Sequence, residues 1–190
     1  LFRSYIPDDF SLIKTTKAYP HPELIIDEPT LRVVYTPSRY FASEPKADVS
    51  VVLRNPKAMN SAKNQVMFAL NDYLAGIALD QLSNQAAVGG ISFSTNANNG
   101  LMLNANGYTQ RLPQLFQALL EGYFSYTPTE EQLEQAKSWY AQMMDSAEKG
   151  KAYDLALMPA QMLSQVPYFQ REDRRALLPS ISLKDVLAYR

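Results

Sequence analysis

The spacing of apolar positions along this chain changes at one glycine pair, and that change locates its central segment. From Ser61 to about Ala87, Val66, Leu70, Tyr73, Leu74, Ile77, Ala78 and Leu82 recur at helical spacing. Gly89-Gly90 interrupts the pattern, and the period then becomes two. Ile91, Phe93 and Thr95 alternate with Ser92, Ser94 and Asn96, and Leu101, Leu103 and Ala105 alternate with Met102, Asn104 and Asn106. Asn98-Asn99-Gly100 lies between the two runs and predicts a tight hairpin, because Asn and Gly accept the positive φ angles such a turn needs. One face of the hairpin is apolar and the other Ser/Asn-rich. An antiparallel sheet follows, with helices on one side and water or a partner on the other.

The flanking segments extend this picture. Residues 1–23 carry Pro7, Pro20 and Pro22 among polar residues and read as an extended arm. Short β-rich runs follow at Leu24–Asp27 and Leu31–Thr36, then a Pro37-Ser-Arg-Tyr-Phe loop. A clearer strand spans Ala47–Arg54, with Val49, Val51 and Leu53 on one face, and Asn55-Pro56 ends it. Beyond the hairpin, Leu112, Leu115, Phe116, Leu119, Leu120 and Tyr123 form a second helical stripe. Thr127-Pro-Thr-Glu130 reads as a cap and capping box opening a third helix. That helix turns Leu133, Ala136, Tyr140, Met143 and Ala147 inward, with acids early, lysines late and Gly150 closing it. Lys151–Gln165 is expected to be helical with a kink at Pro159, and Arg171–Leu178 a short charged helix. Ser182-Leu-Lys-Asp185 caps a last helix.

The fold class predicted is α+β: a two-layer domain with an antiparallel sheet packed against helices. The sheet contains Ala47–Arg54 and the 91–108 hairpin, and the 61–87 and 112–124 helices lie on its apolar face. Leu53, Leu70, Ile77, Phe93, Leu103, Leu115, Phe116 and Leu119 should be buried. The last helix, with Leu183, Val186 and Leu187, reaches Arg190 without a C-cap signal, and the chain starts without Met. Both ends read as cuts in a longer protein.

Composition narrows the classes. The 190 residues suffice for one domain, burying about 70% of the unfolded surface. A hydrophobic fraction of 46% and a charged fraction of 19% are those of an ordinary globular protein. A net charge of -1 gives no electrostatic case for nucleic acid or an anionic membrane as partner. No run approaches a membrane span, and Leu1–Pro7 lacks the basic start and apolar core of a signal peptide. The absence of cysteine removes disulfides and thiolate chemistry, and leaves the compartment open.

Candidate chemistry is sparse. His21, the only histidine, sits between two prolines, whereas a catalytic zinc needs about three protein ligands. Gly90-Ile-Ser92-Phe-Ser94 resembles a nucleophile elbow for part of its length, then lacks the final glycine and leads into a strand. Met143, Met144, Met158 and Met162 read as core filling. Arg171, Arg174 and Arg175, with Glu172 and Asp173, read as a solvated face. No carboxylate pair, calcium loop or phosphate-binding loop is present. No catalytic or metal residue is assigned, and binding residues are unknown.

Longer stretches carry a resemblance. Tyr5-Ile-Pro-Asp-Asp-Phe10, Arg39-Tyr-Phe-Ala-Ser-Glu-Pro-Lys46, Asn64-Gln-Val-Met-Phe-Ala-Leu-Asn-Asp-Tyr-Leu74, the 88–100 segment and Ala136-Lys-Ser-Trp-Tyr-Ala-Gln-Met-Met144 resemble the insulinase-type zinc metallopeptidases. The resemblance covers essentially the whole chain. It implies an α+β domain similar to one domain of the mitochondrial processing peptidase-like metallohydrolases, preceded by an interdomain linker over 1–23. The domain itself would span 24–190, C-terminally truncated relative to the family. Such enzymes look like four related domains forming two halves around a closed chamber. Their first domain carries H-x-x-E-H and a glutamate about seventy residues on. This chain resembles the linker and most of the third domain, where Asp72, Ala75, Gly76 and Gln142 stand at the corresponding positions.

The resemblance thus implies a non-catalytic chamber-wall domain of a periplasmic zinc endopeptidase acting on small polypeptides. Its partners would be the remaining domains and peptide substrates, not nucleic acid or membrane, and zinc would belong to the parent enzyme and not to this segment. The other reading is a stand-alone interaction module, and an upstream H-x-x-E-H in the same reading frame would separate the two. The purified chain is expected to hold no stoichiometric zinc and to hydrolyse no peptide. Metal analysis and a chelator-controlled peptidase assay check this, and about one tightly held zinc per chain would overturn it.

Overall fold

A computed structural model of the chain describes residues 4–12, 21–37, 44–54, 60–97, 100–164 and 167–189. The turn residues Asn98 and Asn99, all of the loop from 38 to 43, Asn55-Pro56, Gln165 and Arg190 lie outside the described residues, as do residues 13–20 of the arm. Alternation builds the sheet. β3 (Lys46–Leu53) and β4 (Ser92–Ala97) both pair antiparallel with β5 (Leu101–Tyr108), giving the order β3-β5-β4. The register sets Asp48, Asn106 and Ser92 in one cross-strand row and Ser50, Asn104 and Ser94 in the next. Because side chains alternate across a strand, this register turns Leu101, Leu103 and Ala105 fully inward. Ser92 and Ser94 are exposed and Asn104 half-buried, as the alternation predicts. β1 (Glu23–Asp27) and β2 (Arg32–Tyr35) form a separate two-stranded ribbon.

Two helices cover the apolar face: α1 (Ala62–Val88) against β4 and α2 (Leu112–Ser125) against β5. Ser61 caps α1 by accepting the Asn64 N–H at 3.1 Å. The single stripe expected on α1 is too narrow. Val66, Met67, Phe68, Leu70, Asn71, Leu74 and Ala75 are all buried, whereas Ala78 is exposed and Ile77 half-buried. The reason is a second helical layer. α3 (Glu130–Glu148), α5 (Arg171–Leu177) and α6 (Leu183–Tyr189) also pack on α1, so its first half is enclosed from more than one side.

Four further expectations need correction. α3 is capped by Thr129 and not Thr127: its hydroxyl accepts the Gln132 N–H while the Gln132 side chain accepts the Thr129 N–H, so Gln132 and not Glu130 closes the box. Its last turn carries no basic residue, Lys149 being the C-cap. Met144 faces the core and Met143 is exposed, because Leu133, Ala136, Tyr140 and Met144 keep strict three- and four-residue steps. Leu53 is 40% exposed. α1 and α2 cover β4 and β5, and beside β3 they leave an apolar groove of about 440 Å³ lined by Ala47, Val49, Leu112, Phe116 and Leu120. Phe93 and Phe116 are half-buried against the core.

α4 (Ala152–Ser164) contains Pro159, and a 3-10 turn, Leu178–Ser180, links α5 to the last helix. At α6 the expected cap is present: Asp185 N–H donates to Ser182 Oγ and Ser182 N–H to the Asp185 carboxylate. The Ser182 hydroxyl and N–H, both donating to the Asp185 carboxylate, and Lys63 at 3.1 Å hold that carboxyl well below the usual carboxylate range. Val186 is buried, Leu183 half-buried and Leu187 exposed. Replacing Leu103, which has no exposed surface, by Ala should cost about 2–5 kcal/mol, and Leu53→Ala about 1 kcal/mol or less. Denaturant unfolding of the two variants checks this, and equal losses would contradict the assigned cover.

Candidate functional site

Two polar arrangements stand out against this core: the outer face of the sheet and a half-buried cluster beneath it. The outer face follows from the register. Ser50 Oγ donates to Asn104 Oδ1 at 2.6 Å, and Ser92 Oγ donates to Asn106 Oδ1 at 2.9 Å. Asn96 lies in the next row, opposite Met102. Ser92, Ser94, Asn96, Asn104 and Asn106 therefore form an uncharged hydrogen-bonding surface, with Asp48 as the one acid in its rows. Such a surface binds polar groups without moving a proton.

The inner cluster joins three elements. Tyr123 of α2 donates its hydroxyl to Asp72 Oδ1 of α1 at 3.0 Å, and Thr95 of β4 also hydrogen-bonds that carboxyl. One residue earlier in α1, buried Asn71 accepts the Tyr126 hydroxyl through Oδ1 at 2.8 Å and through its backbone carbonyl at 3.0 Å. Burial raises the Asp72 carboxyl above its ordinary range, and the hydroxyls of Thr95 and Tyr123 oppose that shift without cancelling it. Burial, together with the neighbouring Asp72 charge, pushes the Tyr123 phenol far up, so it stays a donor. This cluster was hidden in the sequence because Asp72 and Tyr123 are 51 positions apart. The available signal was chemical: a buried tyrosine in an apolar stripe still needs a partner for its hydroxyl.

The residues weighed in the sequence fall in scattered places. Exposed His21 lies just before β1 and joins no group of three or more metal-capable side chains among the described residues. Ser92 and Ser94 sit on the outer face of a strand, which is not the strand-to-helix turn an activated serine requires. Met144 is core, Met143 and Met162 are substantially exposed, and the Met158 side chain lies outside the description. The arginine group is not simply a solvated face. Arg175 pairs with Asp145 across to α3, and half-buried Arg174 hydrogen-bonds the Tyr140 hydroxyl.

The positions at which the resemblance would put a metal do not fit one. Asp72 is engaged by two hydroxyls, Ala75 is buried, Gly76 has no side chain, and Gln142 is exposed on the side of α3 away from Tyr140 and Met144. Among the described residues no group of three or more His, Cys, Asp or Glu is placed to hold a metal ion.

Comparison with known proteins places the geometry. The family described as the middle or third domain of peptidase M16 matches residues 3–176. The chain is 85% identical over 186 residues to Protease 3 of Shigella flexneri and 84% to Protease 3 of Escherichia coli (strain K12), covering 98% of its own length in each case. It spans 19% of the length of these relatives. Among solved structures it resembles the crystal structure of pitrilysin with a TM-score of 0.94 at 84% identity, over 97% of this chain and 20% of that one.

The raised Asp72 carboxyl gives a signed pH dependence. The folded state holds this proton more tightly than the unfolded state, so stability falls as pH rises from the ordinary carboxylate value through the raised one. Asp72→Asn removes the charge and keeps an acceptor for Tyr123. The variant should equal or exceed the parent chain in stability at pH 7, with the difference shrinking toward pH 4. Urea titrations across that range check the sign, and a variant less stable at pH 7 than at pH 4 relative to the parent chain would refute it.

Proposed function

The chain belongs to the M16 peptidase family as its middle or third domain, and from that premise we propose that it is a non-catalytic chamber-wall domain of a zinc-dependent metalloendopeptidase. In this reading the parent enzyme degrades small polypeptides in the periplasm, with its zinc held by another domain. The observation that carries the reading is the match to about a fifth of pitrilysin at a TM-score of 0.94 and 84% identity. The hydroxyls that engage Asp72, and the lack of any carboxylate or imidazole at Ala75, Gly76 and Gln142, support a role without metal.

A wall needs shape and a few polar contacts, because confinement and weak binding raise the local concentration of a peptide without acting on its scissile bond. The Ser/Asn face has that chemistry. Its amides and hydroxyls donate and accept without titrating between pH 5 and 8, so peptide retention through them would be independent of pH in that range. The zinc ligands and the general base belong to the parent's other domains, and the residues of this chain act by position alone.

The test uses the full-length protein that contains this chain. It should cleave short peptides in a chelator-sensitive, zinc-restored manner, and the triple variant Ser94→Ala, Asn104→Ala, Asn106→Ala should raise KM about 2- to 10-fold, at roughly 0.5–1.5 kcal/mol for hydrogen bonds lost to substrate, with kcat little changed. Chelator-resistant cleavage would defeat the peptidase reading. An unchanged KM would remove this face from the wall.

A further inference from the structure

Residues 4–12 form neither helix nor strand, yet they are fastened to the domain at one corner. Tyr5 is the anchor. Only 6% of it is exposed, and it closes a second apolar cluster with Ala86, Ile91, Ala105, Leu112 and Leu115. Its backbone lies so close to the turn after α1 that a Cβ on Gly89 would stand 2.1 Å from the Tyr5 carbonyl oxygen. Glycine is needed there for this approach.

The next residues are gripped by the turn between β5 and α2. Gln110 Oε1 accepts the N–H groups of Asp8 at 3.0 Å and Asp9 at 3.2 Å, while Gln110 Nε2 donates to the Asp8 carboxylate. Arg111 donates from Nε to the Ile6 carbonyl at 3.2 Å and from Nη2 to the Asp8 carboxylate at 3.2 Å. Phe10 then meets the Tyr108 ring edge-on at 5.3 Å.

This is the contact pattern of a bound peptide. Side chains of the domain read two backbone N–H groups, one carbonyl, one carboxylate and one aromatic anchor. None of these bonds belongs to a sheet ladder, so the segment can leave without breaking β5. Apart from the Tyr5 anchor, the bonds are exposed to water and individually weak. We propose that the Gly89-Gly90 and Thr109–Arg111 turns form a peptide-binding site that residues 4–12 occupy in cis, as a clasp that opens while the domain stays folded. The ligand class is an extended peptide with an aromatic residue followed three positions later by a carboxylate. Opening exposes the Tyr5 pocket to any competing segment of that chemistry. The proposal does not depend on the chamber-wall reading, because it concerns this chain alone.

Native-state hydrogen exchange on the whole chain tests it. The Asp8 and Asp9 amides should exchange through a local opening that denaturant barely accelerates, while the β5 amides exchange only through global unfolding. Gln110→Ala should speed exchange at Asp8 and Asp9 about tenfold, the equivalent of roughly 1.4 kcal/mol, and leave β5 unchanged. A second arm adds a synthetic peptide of residues 4–12 to the Tyr5→Ala chain. The peptide should shift the NMR signals of Gly89, Gly90 and Gln110 there, and far less in the parent chain, whose site is filled. Exchange of Asp8 and Asp9 in step with β5 would overturn the proposal, as would a folded Tyr5→Ala chain indifferent to the peptide. If that variant does not fold, the Gln110→Ala exchange rates decide alone.

Discussion

Burial of α1 is the constraint on which the other elements depend. Its first half meets β4 and α2 on one side and α3, α5 and α6 on others, so Val66, Leu70, Leu74 and Ala75 are enclosed by separate parts of the chain. A helix in that position cannot rotate or slide without opening contacts in both layers, because packed interiors leave no slack. The position of the sheet, the seat of α2 and the Lys63–Asp185 tie to α6 all follow from it. The polar residues Asn71 and Asp72 sit on this same helix. Enclosure is why each has tyrosine hydroxyls as partners: water is scarce there, and an unpaired group would be costly.

The outer sheet face contrasts with this interior. Its rows of Ser and Asn satisfy one another across strands, through Ser50 with Asn104 and Ser92 with Asn106. Nothing in the core relies on them, since every inward position of β5 is filled by Leu101, Leu103, Ala105 or Gly107. Gly107 itself is fixed by space, with φ +130 and Ile91 Cγ2 only 2.4 Å from where a Cβ would lie.

What was legible in the sequence was what local periodicity encodes. The shift from helical spacing to alternation at Gly89-Gly90 located α1, β4 and β5 within a residue or so, and the α2 stripe and the Ser182–Asp185 cap were equally plain. Properties set by distant partners were not. The breadth of burial on α1 depends on α3, α5 and α6, which the stripe of α1 cannot announce. Exposure of Leu53 reflects missing cover over β3, although its alternation is the same as that of buried Leu103. Thr127 and Thr129 offered two caps two residues apart, and the reciprocal bond from Gln132 decided between them. Tyr5 lay in a proline-bearing arm with no periodicity to flag it, and the Asp72–Tyr123 bond spans a gap no local pattern covers.

The separation between a tightly enclosed helix and a self-satisfied outer face has a consequence for how this domain accommodates change. Substitutions on the inner side of β5 or around α1 alter volume in a filled space and act on folding itself. Those on the Ser/Asn rows alter only which groups are offered to solvent, with short side chains whose removal leaves no void. The chemistry of that surface is therefore decoupled from the stability of the scaffold beneath it. One backbone can carry many different surfaces there, rewritten a residue at a time, without the fold registering the edit.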